Sequence, residues 1–228
     1  MLTKKKKLSK REIKEDKLVT TYYKVYNYFL ENKNRIGMYA GGLLVVIAVI
    51  YFYINNKAEN NTQAGIQLSR VIDLYDSGAY LEAIEGRQGT NIVGLKKIVA
   101  EYGGTENGET AKIYLANSYQ MLGKIEDAFK SYEDYGGSNK IFKATALSGE
   151  AGYYAYKNDY EKAADLYLSA SRVSKENVLN PEYMLKAAIN YIDAGKKDDA
   201  KDLLEIIKKD FTTSTAFREV DKYLTLIN

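Results

Sequence analysis

Any chemistry in this chain has to come from oxygen and lysine, because its 228 residues contain no cysteine and no histidine. That removes the thiolate and the imidazole, and with them the common nucleophile–base pairs and soft metal ligands. Carboxylates, lysines and 22 tyrosines remain. Asp198, Asp199, Asp202 and Glu205 bring four carboxylates together, but Lys196, Lys197, Lys201 and Lys208 are interleaved with them. That mixture belongs to a solvated helix face, whereas a calcium loop spaces its oxygens around a central glycine. Gly103-Gly104-Thr105-Glu106-Asn107-Gly108 is rich in glycine, yet no Lys-Ser or Lys-Thr follows to complete a phosphate cradle. It reads as a turn between helices. No catalytic set, metal, cofactor or small-molecule substrate is expected. An enzyme using carboxylates in a groove is the most remote of three functional readings.

The elements behind these residues are set by one segment. From Ile36 to Ile54 the chain carries no charge. Nineteen helical residues at 1.5 Å each approach the roughly 30 Å of a bilayer's hydrocarbon core. Residues 1–35 hold eleven Lys or Arg, including Lys4 to Lys7, against Glu12, Glu15, Asp16 and Glu31, while only Lys57 and Glu59 follow closely. Basic residues stay on the cytoplasmic side, so the head 1–35 is expected inside and the rest outside. Tyr39, Tyr51 and Tyr53 stand where interfacial rings sit. Tyr-Phe-Tyr-Ile-Asn-Asn after the apolar core is no signal-peptidase site, so an uncleaved anchor is favoured over a signal peptide. A buried core helix is disfavoured by the uninterrupted apolar length. Ahead of the anchor, Leu18, Tyr22, Val25, Tyr26 and Phe29 recur at helical spacing among Lys17, Lys24 and Lys33. They lie in headgroups or simply extend the anchor.

After a linker at 55–61, residues 62–228 suffice for one domain with a sizeable core. From residue 36 onward the chain has 22 basic and 26 acidic residues (33 minus 11, and 30 minus 4), so the overall pI of 8.6 reflects the head alone. A nucleic-acid surface is not indicated.

Residues 62–228 repeat themselves. Ala116, Tyr119, Ala128 and Tyr132 are echoed by Ala151, Tyr154, Ala163 and Tyr167, then by Ala188, Tyr191, Ala200 and Leu204. The gaps are three, nine and four residues each time, and Gly123, Asn158 and Gly195 fall five residues before the second alanine. A small residue and an aromatic three apart share a helix face. The glycine or asparagine ends that helix, and the next alanine admits a second helix closely. Such a hairpin must stack on copies of itself. Upstream, Gly78 and Ala83 keep the interval, so 62–102 reads as a degenerate first unit ending in a helix near Val93 to Tyr102. Asn180 before Pro181 reads as a helix cap. Phe217, Val220, Tyr223 and Leu224 make 214–227 a capping helix. The expected fold is all-α: one transmembrane helix, then a helical-hairpin solenoid of about four units plus a C-terminal cap.

This spacing resembles the tetratricopeptide repeat, with Leu115 as a further match and the family's early Trp replaced by Lys112, Leu147 and Met184. The resemblance implies a groove on the first helices, carried over to Ile113, Asn117, Gln120, Met121, Ser148, Tyr156, Leu185, Ile189 and Asp193. The apolar ones can equally be core. The basic clamp for a terminal carboxylate is not reproduced; only Asn117 matches it. The layout of basic head, single anchor and distal repeat resembles the ancillary SecYEG translocon subunit family. The stretch from Leu95 to Tyr102, through Ala111 to Tyr119, is similar to its Bacteroidetes and Chlorobi versions. That resemblance implies a bacterial inner-membrane scaffold with a periplasmic domain, whose partners are the export channel and periplasmic chaperones. An envelope-assembly or division coordinator at peptidoglycan or the outer membrane is the alternative. Protease added to spheroplasts is expected to digest residues beyond 54 and spare the head, and a protected C-terminal domain would overturn this sidedness.

Overall fold

A single proline in 228 residues leaves the backbone free to stay helical over long stretches. The structure, a computed structural model, describes the backbone of residues 10–227 and the side chains of residues 17–227. Within them lie ten α-helices and no strand beyond one isolated bridge between Gly86 and Val93. The Lys4 to Lys7 run of the basic head lies outside the described residues. The chain divides into two units, Met1–Asn56 and Lys57–Asn228.

In the first unit, the described residues form the leading part of α1 (Lys10–Asp76). None of residues 17–56 is buried, including the whole run Leu43 to Ile54. An apolar surface of that extent has no stable place in water. This is one helix long and apolar enough to cross a membrane. Residues 55–61 continue α1 as helix. Neither Gly nor Pro interrupts them, and extending an existing helix needs only one further hydrogen bond per residue.

In the second unit α1 continues with Ala64, Leu68, Val71 and Leu74 buried on one stripe. They join Ala83 and Ile84 of α2 (Tyr80–Glu85), Leu95 and Ile98 of α3 (Leu95–Tyr102), and Ala111 and Leu115 of α4 (Glu106–Met121). Then come α5 (Ile125–Glu133), α6 (Lys140–Tyr156), α7 (Tyr160–Arg172), α8 (Asn180–Asp193), α9 (Lys197–Asp210) and α10 (Thr215–Ile227). From α2 onward each helix packs on the next, and α4 also touches α6 as α8 touches α10. Val220 of α10 is buried, with Phe217, Tyr223 and Leu224 partly buried beside it.

Four of the turns are built alike. Gly78, Gly123, Asn158 and Gly195 all take positive φ, between 62° and 80°. At each, the next residue's N–H reaches back to a carbonyl five positions earlier: Ala79 to Leu74, Lys124 to Tyr119, Asp159 to Tyr154 and Lys196 to Tyr191, at 2.8–2.9 Å. This is the Schellman closure, and it satisfies carbonyls that the helix end leaves open. Five residues after each left-handed residue, Ala83, Ala128, Ala163 and Ala200 are buried. Thr105, Asn139 and Asp159 cap α4, α6 and α7 with their side chains. Asn180 does not cap α8. Its amide donates instead to Ser174 O at 2.7 Å, which ties down the preceding loop.

Asn158 is the only non-glycine among the described residues with positive φ. Asparagine tolerates that region where alanine does not. Asn158→Ala is expected to cost about 1 kcal/mol of stability while Asn158→Gly does not, read as melting temperatures of the folded protein. Equal melting of the two variants would remove the left-handed turn from the account of this hairpin.

Candidate functional site

The first helices that carry the sequence-derived groove residues bring only some of them to the surface. Ile113 on α4 is 2% exposed and Leu185 on α8 is 7% exposed, so both are core, one of the two roles the sequence allowed. Ile113 packs with Ala116, Ala128, Tyr132 and Ala146, and Leu185 packs with Ala188 and Leu204 in a separate cluster. Ser148 and Ile189 are partly buried. Met121 and Tyr156 are each 61% exposed, and Gln120 and Asp193 are exposed as well.

Asn117 and Gln120 are drawn together by Tyr132 of α5. The Tyr132 hydroxyl lies 2.6 Å from Asn117 Oδ1 and 2.7 Å from Gln120 Oε1, so its one proton serves two amide oxygens. Burial pushes this phenol well above its ordinary range, so it stays a donor. Asn117 in turn donates to Tyr75 Oη at 3.4 Å, and the Tyr75 ring meets Tyr80 and Tyr114 edge-on at 5.6 and 4.9 Å. The amides therefore bind their own fold first. Tyr132 reaches this position because Gly149 of α6 has no Cβ, where one would run into the ring. The repeat spacing marked Tyr132, while the required glycine was not singled out.

Beside this network a cleft of about 70 Å³ opens between α5 and α6. Its walls include Gln120, Phe129, Tyr132, Gly152, Tyr153 and Tyr156. Phe129 stacks on Tyr153 with centroids 4.1 Å apart, and the Lys157 ammonium lies 5.2–5.3 Å from the Tyr153 and Tyr156 ring centroids. That ammonium is itself paired with Glu126 Oε1 at 2.9 Å, so what the cleft offers is its aromatic walls, which can hold an apolar side chain. Phe129, Tyr153 and Lys157 belong to this site although the repeat pattern did not single them out. Only the ring stacking and the lysine over the rings mark them. Ile189 and Asp193 lie on α8 outside the cleft's lining.

Glu150 on α6 is half-buried. Burial first, and then the charge of Glu133, raise its carboxyl above the ordinary range, with Lys162 opposing. Compared with known protein families, curated proteins and solved structures, the chain matches none of them. Because the folded pKa of Glu150 is raised, its contribution to stability is complete below the unfolded carboxylate value and is lost as pH rises through the folded one. Glu150→Gln is therefore expected to raise the melting temperature at neutral pH, with the gain vanishing near about pH 4. An undiminished gain at the acid end would disprove the burial effect.

Proposed function

We infer that the chain is a membrane-tethered, non-catalytic interaction scaffold, held in the bacterial inner membrane by residues 36–54. In this reading the second unit is a tetratricopeptide-like stack on the periplasmic side. It works beside the protein-export channel and engages that channel or periplasmic chaperones. The observation that carries the reading is fourfold. The same left-handed closure and the same buried alanine recur at Gly78/Ala83, Gly123/Ala128, Asn158/Ala163 and Gly195/Ala200, behind a helix long and apolar enough for a bilayer. Stacked hairpins leave first-helix surfaces facing a partner. Met121, Gln120, Tyr156 and the Phe129–Tyr153 cleft are the exposed or aromatic positions here suited to holding a peptide. The lopsided basic head supports the sidedness.

A photo-crosslinking residue at Met121 or Tyr156, in full-length protein in its own membrane, is expected to capture channel subunits or periplasmic chaperones. The same residue at Ile206, exposed on α9, is expected not to. Tyr156→Ala together with Phe129→Ala is expected to reduce capture at Met121 several-fold without loss of helicity. Capture of peptidoglycan-associated or outer-membrane proteins instead would overturn the export reading and keep the scaffold.

A further inference from the structure

The loop between α7 and α8 ends in two apolar residues with nothing over them. Val178 is 86% exposed, the highest exposure of any large apolar residue described, and Leu179 beside it is exposed too. A second exposed apolar residue, Ile141, opens α6. Ile141 and Val178 each stand ten residues before a buried alanine, Ala151 and Ala188, so they hold the same place in successive hairpins. Helix packing brings them to one side. Tyr183 of α8 packs in one cluster with Ala144 of α6, the neighbour of Thr145. Ile141 lies one turn before Thr145, as Leu179 lies one turn before Tyr183.

Four cations flank these residues in sequence: Lys140 and Lys143 beside Ile141 on α6, and Arg172 and Lys175 at the end of α7 and in the loop before Val178. All four are exposed, and none of them forms an ion pair among the described residues. Glu176 and Glu182 are the only carboxylates in residues 172–182, so the patch is basic within a unit that is acidic overall. Its α6 end adjoins residues near the start of the second unit. Asn107, in the first turn of α4, is bonded to Asn61 of α1 at 2.8 and 2.9 Å. Asn139, which caps α6, shares a cleft of about 400 Å³ with Lys57. Lys57 follows the last residue of the apolar stretch by three positions.

We propose that this edge is a lipid-binding surface, with Val178, Leu179 and Ile141 inserting at the headgroup–acyl boundary of an anionic bilayer and the four cations binding phosphate headgroups. Exposed aliphatic side chains ringed by Lys and Arg are the chemistry of peripheral membrane binding, and each exposed cation near an anionic surface adds to it. The proposal rests on the membrane tether inferred above and adds a second, reversible contact that would fix the orientation of the scaffold.

The chain has no tryptophan, so one introduced residue reports without background. Full-length Val178→Trp and Ile141→Trp are reconstituted into vesicles of phosphatidylcholine and phosphatidylglycerol with brominated acyl chains. Tyr156→Trp, at the opposite end of α6, is the reference. Emission from positions 178 and 141 is expected to be quenched several-fold more strongly than from 156. That excess should fall toward the reference in pure phosphatidylcholine, and again when Lys140, Lys143, Arg172 and Lys175 become Gln. Circular dichroism confirms the fold of each variant. Equal quenching at all three positions overturns the proposal and leaves the patch to a protein or to a second copy. Quenching indifferent to lipid charge and to the Gln changes overturns the role of the cations. If the protein does not float with the vesicles at all, the tether itself is wrong, and that result is distinct from an unquenched probe on floating protein.

Discussion

The second unit depends on how closely paired helices can approach at Ala83, Ala128, Ala163 and Ala200. These four alanines are buried, and each follows a left-handed residue by five positions. The closure sets the angle at which the chain turns back, and the methyl side chain sets the distance. Neither works alone. A larger residue at the contact would force the hairpin open, and a right-handed residue at the turn would send the second helix elsewhere. Residues outside the four pairs can then vary widely, as the replacement of Tyr132 and Tyr167 by Leu204 at the equivalent place illustrates.

Polar groups hold the joints between hairpins in two places where apolar ones are expected. Lys112 of α4 is buried. Burial alone would lower its pKa, but bonds to Glu109 Oε1 (2.9 Å), Asp134 Oδ2 (3.0 Å) and Asp134 O (2.7 Å) outweigh this and raise it. Glu109 also accepts from Gly136 N at 2.7 Å, so one lysine and one glutamate fasten the α5–α6 loop to α4. Breaking such a pair is costly because it strands a charge, while the pair itself adds little beyond an apolar contact. Its contribution is placement. The Tyr132–Asn117–Gln120 network works the same way from the opposite side of α4, and both leave α5 and α6 in one register.

What could be read beforehand follows from which forces are local. The turns at Gly123, Asn158 and Gly195 and the buried alanines were legible because a left-handed turn and a methyl-sized contact restrict residue type at a fixed spacing. The helix at Leu95–Tyr102 and the capping helix at Thr215–Ile227 were legible from apolar periodicity. Residues 55–61 lie within α1, a continuity that composition does not reveal because neither Gly nor Pro marks it. Ile113 and Leu185 could not be separated from the groove, because a first helix has neighbours on two sides and periodicity alone does not say which side is open. The seat that Gly149 gives the Tyr132 ring joins residues seventeen positions apart on different helices, and no pattern within one helix records it.

The exposed cleft is small, and that size bears on how a tethered scaffold can work. A pocket of about 70 Å³ with one stacked aromatic pair holds a single side chain, and such a contact is weak by itself. If residues 36–54 anchor the chain as proposed, a partner in the same membrane is already confined near it. Binding then becomes close to intramolecular, with an effective concentration set by the anchor. Weak, reversible contacts through Tyr156 and Phe129 would be enough for the proposed scaffold. The self-satisfied Asn117–Tyr132–Gln120 network fits that requirement. Its amides already have partners within the fold, so a ligand that gains them must displace an existing bond, and its net affinity stays low.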